Sequence, residues 1–244
     1  MTKRVCFTIG LLLLSTSAAF AQQLKPADGR IFGSANIGAQ FSPARDESTA
    51  FSFTLYEEPA TVSVARSVKG GLLGEFTAGG KVIGNLGIAG SLWFRSAPGD
   101  GAVTSSIPDP AFFDRPRAVS TTITNMEHKE VWMAVQASYS MQLNEKMAIY
   151  ILGGPTVVNV KHQVANSATV AESGNFATLT MGTTELTKLV FGYTMAIDGR
   201  YMITKSLGLG GFVRYSGANA NMNDTVKLKL GGLSIGAGVR VAIF

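Results

Sequence analysis

Few residues in this chain have the types and spacing that chemistry needs. His128 and His162 are its only imidazoles. Each falls in a stretch with Glu127 or Ser167 near it, and a histidine beside a serine is what a lipid acyltransferase or deacylase would use. No motif here has the spacing such a reaction requires, and the same holds for a metal site of two histidines and a carboxylate. The expectation is therefore no catalytic residue, no metal and no cofactor. The other polar groups of interest are single charges set in apolar surroundings. "GYTMAIDGRYMI", from Gly192 to Ile203, carries Asp198 and Arg200 among Tyr193, Met195, Ile197, Tyr201 and Ile203. Glu75, Arg95, Arg214 and Arg240 sit in similar company. Charges that share a narrow space need partners, so these are expected to form ion pairs and not to react.

The elements that must position them are strands. In "VWMAVQASYSMQL", Val131, Met133, Val135, Ala137 and Tyr139 alternate with Trp132, Ala134, Gln136, Ser138 and Ser140. Period two of this kind is strand behaviour. Eight such segments are legible: 31–41, 71–82, 86–96, 131–143, 147–161, 189–203, 207–217 and 232–243. Three links between them are three residues long (83–85, 144–146 and 204–206), as tight hairpins allow. The other four, 42–70, 97–130, 162–188 and 218–231, are long. Short and long links alternate strictly, so all short turns fall at one end of the sheet. That asymmetry and the even strand count predict an all-β, eight-stranded, antiparallel up-and-down transmembrane barrel, with short periplasmic turns and long extracellular loops.

Composition agrees. Charged residues make up 15% of the 244 residues, and 28 are glycine; soluble domains carry roughly 25% charge. The formal net charge is +5, but no dense basic stripe with interleaved aromatics is present, so no nucleic-acid partner is expected. Lys3 and Arg4, an apolar run from Val5 to Leu14 and the Ala19-Phe20-Ala21 site predict a signal peptide over 1–21. A short periplasmic segment, 22–30, then leads into the barrel, 31–244. The only cysteine, Cys6, lies in the expected leader, which excludes a disulfide framework from the mature chain.

Phase gives the charges a direction. Along 189–203 the odd positions are apolar and face lipid, so Asp198 and Arg200 face the lumen. The same phase turns Glu75, Arg95, Arg214 and Arg240 inward. Trp93 and Trp132 are expected in the lumen near the wide-loop mouth, with Phe112 or Phe113 of "IPDPAFFDRPR" above them. Those four aromatics are the only candidates for binding a ligand. Asp198 is expected to centre one ion-pair network, with Arg214 as its diagonal neighbour, Arg200 two residues below, Arg240 on the next strand and Glu75 reaching the cluster from roughly across the barrel. In the first long loop, "FSFTLY" (51–56) and "TVSVARSV" (61–68) predict a hairpin outside the membrane, turning at 57–60.

The last strand, "LSIGAGVRVAIF", resembles the assembly signal of outer-membrane barrels, and the mature chain resembles eight-stranded barrels of the OmpA, OmpX and OmpW kind. The "IPDPAFFDRPR" loop resembles one found in uncharacterised bacterial outer-membrane β-barrel domain proteins. Those often carry histidine between the prolines, where this chain has Asp109. In the last strand the apolar phase puts Phe244 out of step, which a terminal bulge would reconcile. The resemblance implies an outer-membrane location among lipids and lipopolysaccharide. It also implies recognition of the last strand by the barrel-assembly machinery. The function it implies is a non-catalytic structural or surface-interaction role for the extracellular loops. Binding or passage of a small hydrophobic molecule is the second reading, and a lipid-modifying enzyme the third.

Overall fold

The computed structural model describes residues 30–41, 45–68, 70–112, 115–173, 176–222 and 226–243. The expected signal peptide, nearly all of the segment 22–30, Phe113 and Phe244 lie outside them. Twelve strands run through the described residues. They are β1 (Ile31–Phe41), β2 (Arg45–Leu55), β3 (Glu58–Val68), β4 (Gly71–Ile83), β5 (Leu86–Ser96) and β6 (Gly99–Ile107), then β7 (Arg117–Met126), β8 (His128–Gln142), β9 (Met147–Ser173), β10 (Phe176–Met202), β11 (Leu207–Asn221) and β12 (Lys227–Ile243). The eight strands expected from the alternation close into one antiparallel barrel, in the order β1-β12-β11-β10-β9-β8-β5-β4.

Period two sorts the side chains as the barrel requires. Ile37, Leu72, Phe76, Ile88, Phe191, Met195, Ile197 and Leu209 are exposed on the outer wall. Ser34, Asn36, Glu75, Gln136, Asp198, Arg214 and Arg240 are buried inside. A soluble barrel would reverse this order. An apolar exterior around a polar interior is the arrangement that lipid stabilises, and a closed wall leaves no sheet edge in the lipid. The outward Lys129 and Lys161, side by side on β8 and β9, mark the upper edge of the apolar belt.

The long links are more ordered than their composition suggests. The first two contribute hairpins, β2–β3 and β6–β7, which join in a separate four-stranded sheet of order β2-β3-β6-β7. The expected first hairpin is present, but it turns at Tyr56–Glu57, both at positive φ (52° and 63°), and not at 57–60. Pro59 lies inside β3, opposite Thr54. The third link is not a loop. β9 and β10 stay paired up to Ser173 and Phe176, with a register shift at Gly182/Thr183. β11 and β12 likewise pair up to Asn221 and Lys227. β1 and β12 match residue for residue from Phe41↔Leu233 to Ile31↔Ile243, so there is no bulge as far as Ile243; the expected terminal bulge at Phe244 lies outside the described residues.

The four-stranded sheet has its own core. Val62, Val64 and Val103 on its inner face pack with Ala165 and Leu179 of the β9–β10 extension. Phe51, Phe53 and Val170 close the same layer. The sheet and the extended hairpin thus make a small sandwich above the barrel mouth.

Candidate functional site

The lumen is built in layers of side chains. Next to the short turns, Met202 packs on Ala242. Above them Phe32 and Tyr150 meet at 4.6 Å between ring centroids. The Arg200 guanidinium lies over both rings, at 4.6 Å and 3.9 Å. Asp198 accepts from Arg200 Nε at 2.8 Å and is met by Arg240 Nη2 at 2.8 Å. Arg240 also donates to Asn36 of β1. Each of these positions is reached because alternate residues of a strand face the same way.

Arg214 departs from the expectation. It does not pair with Asp198. It crosses the lumen to Glu75 Oε1 at 2.9 Å, and its guanidinium lies 4.1 Å over Trp93. The charges therefore form two centres, Asp198–Arg200–Arg240 and Glu75–Arg214. Glu75 is held further by Thr77 Oγ1 at 3.0 Å, and Thr77 is linked through Ser91 to Gln136. Asp198 does face Phe212 across β10 and β11, as the turn at 204–206 dictates.

Trp93 and Trp132 are fully buried in the lumen and stack at 5.4 Å and 11°. They are opposite residues on β5 and β8. Phe112 does not cover them. It is exposed in the β6–β7 loop, at the far tip of the small sheet, with Arg115 over its ring at 5.8 Å. The upper lumen is closed instead by Val158, Val160, Val190, Ala220, Leu228 and Leu230.

Arg95 pairs with Glu130 at 2.7 Å. Sequence reasoning misses Glu130 when the strand is begun at Val131. Extending the alternation back through Trp132, Glu130 and His128 places all three inside. Glu130 Oε2 also accepts from Trp132 Nε1 at 2.8 Å.

The two histidines are buried, and neither lies beside a serine nucleophile. His128 Nδ1 and His162 Nδ1 are 3.0 Å apart. His128 Nε2 lies 2.8 Å from Glu130 Oε1 and His162 Nε2 lies 2.9 Å from Glu47 of β2. The Ser167 hydroxyl turns to Asn166 instead, and Glu127 holds Lys129. All four ring nitrogens are engaged, so neither imidazole is poised as a base. Among the described residues no three His, Cys, Asp or Glu side chains converge on one point, as a metal cage would need. The chain Glu47–His162–His128–Glu130 contains three hydrogen bonds and so needs three protons. Two neutral imidazoles supply two. His128, above the apolar belt, is pushed below the ordinary imidazole value by burial, against the pull of Glu130.

This chain, with Arg66, fastens the small sheet to the barrel. Arg66 of β3 is buried and donates to the Met126 carbonyl, and to that of Gln163 at 3.2 Å. Burial lowers its pKa and Glu47 opposes that.

The outer face of the small sheet is unlike every other surface of the molecule. One row across the strands, just above Ser67 and the exposed Asp100, is Ser48, Ala65, Ala102 and Thr122. The next is Ala50, Ser63, Thr104 and Ser120. The third is Ser52, Thr61, Ser106 and Ala118. None of these twelve positions carries a charge or a side chain larger than threonine.

Fold and site together define a class: a transmembrane eight-stranded β-barrel with a filled lumen and a sheet raised above its mouth. No family model matches the chain, and no curated protein does. Among solved structures it is similar to Neisserial surface protein A, at 12% identity over 87% of this chain and 97% of that one, with a TM-score of 0.47. It is also similar to the outer-membrane protein OprG of Pseudomonas aeruginosa, at 9% identity over 88% and 95%, TM-score 0.41. The third is the attachment invasion locus protein Ail of Yersinia pestis, at 12% identity over 87% and 99%, TM-score 0.37. At that level of likeness the strand pairing of this chain, and not its neighbours, carries the reading of the fold.

Proposed function

We propose that this chain is a non-catalytic outer-membrane protein whose barrel serves as an anchor and whose small sheet carries a surface interaction. One observation supports this above the rest: the lumen is occupied by packed and paired side chains from Met202 and Ala242 to Leu228 and Leu230. Eight strands leave an interior that side chains can fill, so the barrel holds the sheet in place and does not conduct. The cleaved leader, the surrounding lipid and lipopolysaccharide, and reading of the last strand by the assembly machinery belong to the same proposal. Planar-bilayer recording tests it. The expected result is no stepwise ion conductance, and a sustained ohmic channel would overturn it.

A second reading is favoured by one feature. Pairing between β10 and β11 ends at Gly192↔Ala218, while both strands continue upward with their other neighbours. Above that point the two strands are joined by Lys188 Nζ donating to the Asn221 carbonyl and by the packing of Leu186, Val190 and Met222, an apolar seam suited to a small hydrophobic molecule. Quenching of Trp93 and Trp132 fluorescence by a brominated alkane that enters this seam would favour that reading. Unchanged emission would remove it.

A further inference from the structure

The three-row, four-strand field on the small sheet is a docking surface, and we infer that its occupant is a second copy of this chain in the same membrane. The inference rests on the anchor-and-sheet reading above and names its partner. Eight of the twelve positions are Ser or Thr and four are Ala. An ordinary water-facing sheet carries Lys and Glu, as exposed faces do. This one lies between apolar inner residues that are already spoken for by the β9–β10 hairpin and twelve uncharged solvent-side positions, with Asp100 at their lower margin.

Three features select a second copy. First, hydroxyl groups both donate and accept, so the face is complementary to itself, and an uncharged patch meets no like charge when it is doubled. Its small side chains also let two sheets approach to about the usual face-to-face spacing of 10 Å. Second, the ends of the face carry opposite charge. The β2–β3 turn presents Glu57, and the β6–β7 loop at the same tip presents Arg115, both exposed. Two copies in one bilayer are related by an axis along the membrane normal. With the strands rising from the mouth, such an axis lays β2 over the partner's β7, and so brings each Glu57 to the other copy's Arg115. Third, the barrel wall on the strands that give rise to the sheet carries one row of small residues among its large apolar ones, Phe76, Ile88 and Leu92. Gly33, Ala78 and Gly90 are adjacent across β1, β4 and β5. Small residues permit close approach of membrane-embedded surfaces.

The field covers roughly 400 Å² at strand spacings of ~4.8 Å and ~3.3 Å per residue. A stable dimer buries about 800 Å² on each partner. The contact is therefore weak between free molecules and becomes populated when a bilayer confines many copies and raises their effective concentration.

The test is disulfide trapping of the full chain in proteoliposomes, with Cys6→Ser and Thr104→Cys. Thr104 stands in the central row, near the axis. Glu145→Cys at the short-turn end, in the same background, gives the collision rate. The expected result is that Thr104→Cys dimers form roughly tenfold faster than the control, and that Ser63→Lys beside it removes the excess, because like charges would then oppose across the axis. Glu57→Lys and Arg115→Glu should each slow trapping, and the two together should restore it. Trapping at the control rate, or no effect of Ser63→Lys, overturns the inference. So does shielding of the thiol introduced by Thr104→Cys from maleimide only when lipopolysaccharide is added, which would assign the face to a glycan. The two readings fail separately. A conducting lumen overturns the anchor reading, whereas a silent lumen with the Thr104→Cys thiol untrapped overturns the second copy alone.

Discussion

The barrel and the small sheet obey the same alternation with opposite contents. In β10 the buried phase holds Thr194, Asp198 and Arg200, and the exposed phase holds Tyr193, Met195 and Ile197. In β3 the buried phase holds Val62 and Val64, and the exposed phase holds Thr61 and Ala65. The backbone is the same, so the medium outside decides the difference. Where lipid is outside, apolar side chains go there and the polar ones are enclosed. Where water is outside, the enclosed layer is apolar. Charge follows the same rule with a twist. The barrel encloses its charges, and the sheet's outer field has none.

The sharpest way to break that comparison is to remove a charge from the enclosed set. Asp198 holds Arg200 and Arg240 at 2.8 Å each. Asp198→Ala leaves two buried guanidiniums side by side, so it should cost on the order of 3–5 kcal/mol. The urea midpoint in micelles should fall accordingly. A midpoint equal to that of the unsubstituted protein would show that the lumen is wet and the pairs are weak.

A smaller effect is expected where sheet and barrel join. Arg66→Ala removes charge-assisted bonds to the Met126 and Gln163 carbonyls, worth about 1.5–3 kcal/mol together. The loss is local. Hydrogen exchange should quicken in 45–68 and 99–126 and stay unchanged in 189–217. Uniform quickening would mean that the two sheets fold as one unit.

Acid should loosen the same junction. His128 has its folded pKa held below the ordinary 6.5, first by burial. Detached, it binds a proton more readily than attached. The junction's stability is therefore complete above about pH 6.5 and declines as pH falls through that value toward the folded one. Exchange in 45–68 should rise between pH 7 and pH 5, and His128→Gln should flatten that rise. Glu47, Arg66, Glu130 and Arg95 also face this pair, so Glu47→Gln serves as a control that keeps the imidazoles.

How much of this is legible in the sequence depends on range. The eight barrel strands can be read because alternation is local, and so can the inward phase of Asp198, Glu75 and both tryptophans. The partner of Arg214 cannot. Register gives its neighbours on β10 and β12, Ala196 and Ser234, whereas Glu75 comes from β4, across the lumen. β6 and β7 escape for another reason. "GDGAVTSSI" and "RAVSTTITNM" alternate, but between residues so small and polar that they read as loop. Their inner phase, Val103, Val119 and Ile123, becomes apolar enough only with the β9–β10 hairpin packed on it. The same smallness that hides these strands makes their outer face unusual.

The smallest effect compares two ion pairs of nearly equal length. Arg117 Nη2 meets Glu172 Oε1 at 2.6 Å, linking β7 to the β9 extension, and Arg240 meets Asp198 at 2.8 Å in the lumen. Distance alone would rank the first pair as the stronger. Solvent reverses the order. The outer pair is screened by water and salt, and such pairs add little; the inner pair has no water to replace a lost partner. Glu172 is held below the ordinary carboxylate value, chiefly by its hydrogen bond from Arg117. A lowered carboxylate contributes above its ordinary value of 4.5 and loses that contribution as pH falls. Its exposure makes the contribution faint at any pH. Glu172→Gln should therefore leave the urea midpoint where it was, at low salt and high, while Asp198→Asn lowers it at both. If Glu172→Gln proves the more damaging of the two, the sheet and hairpin are held together by their surface and not by the apolar layer between them.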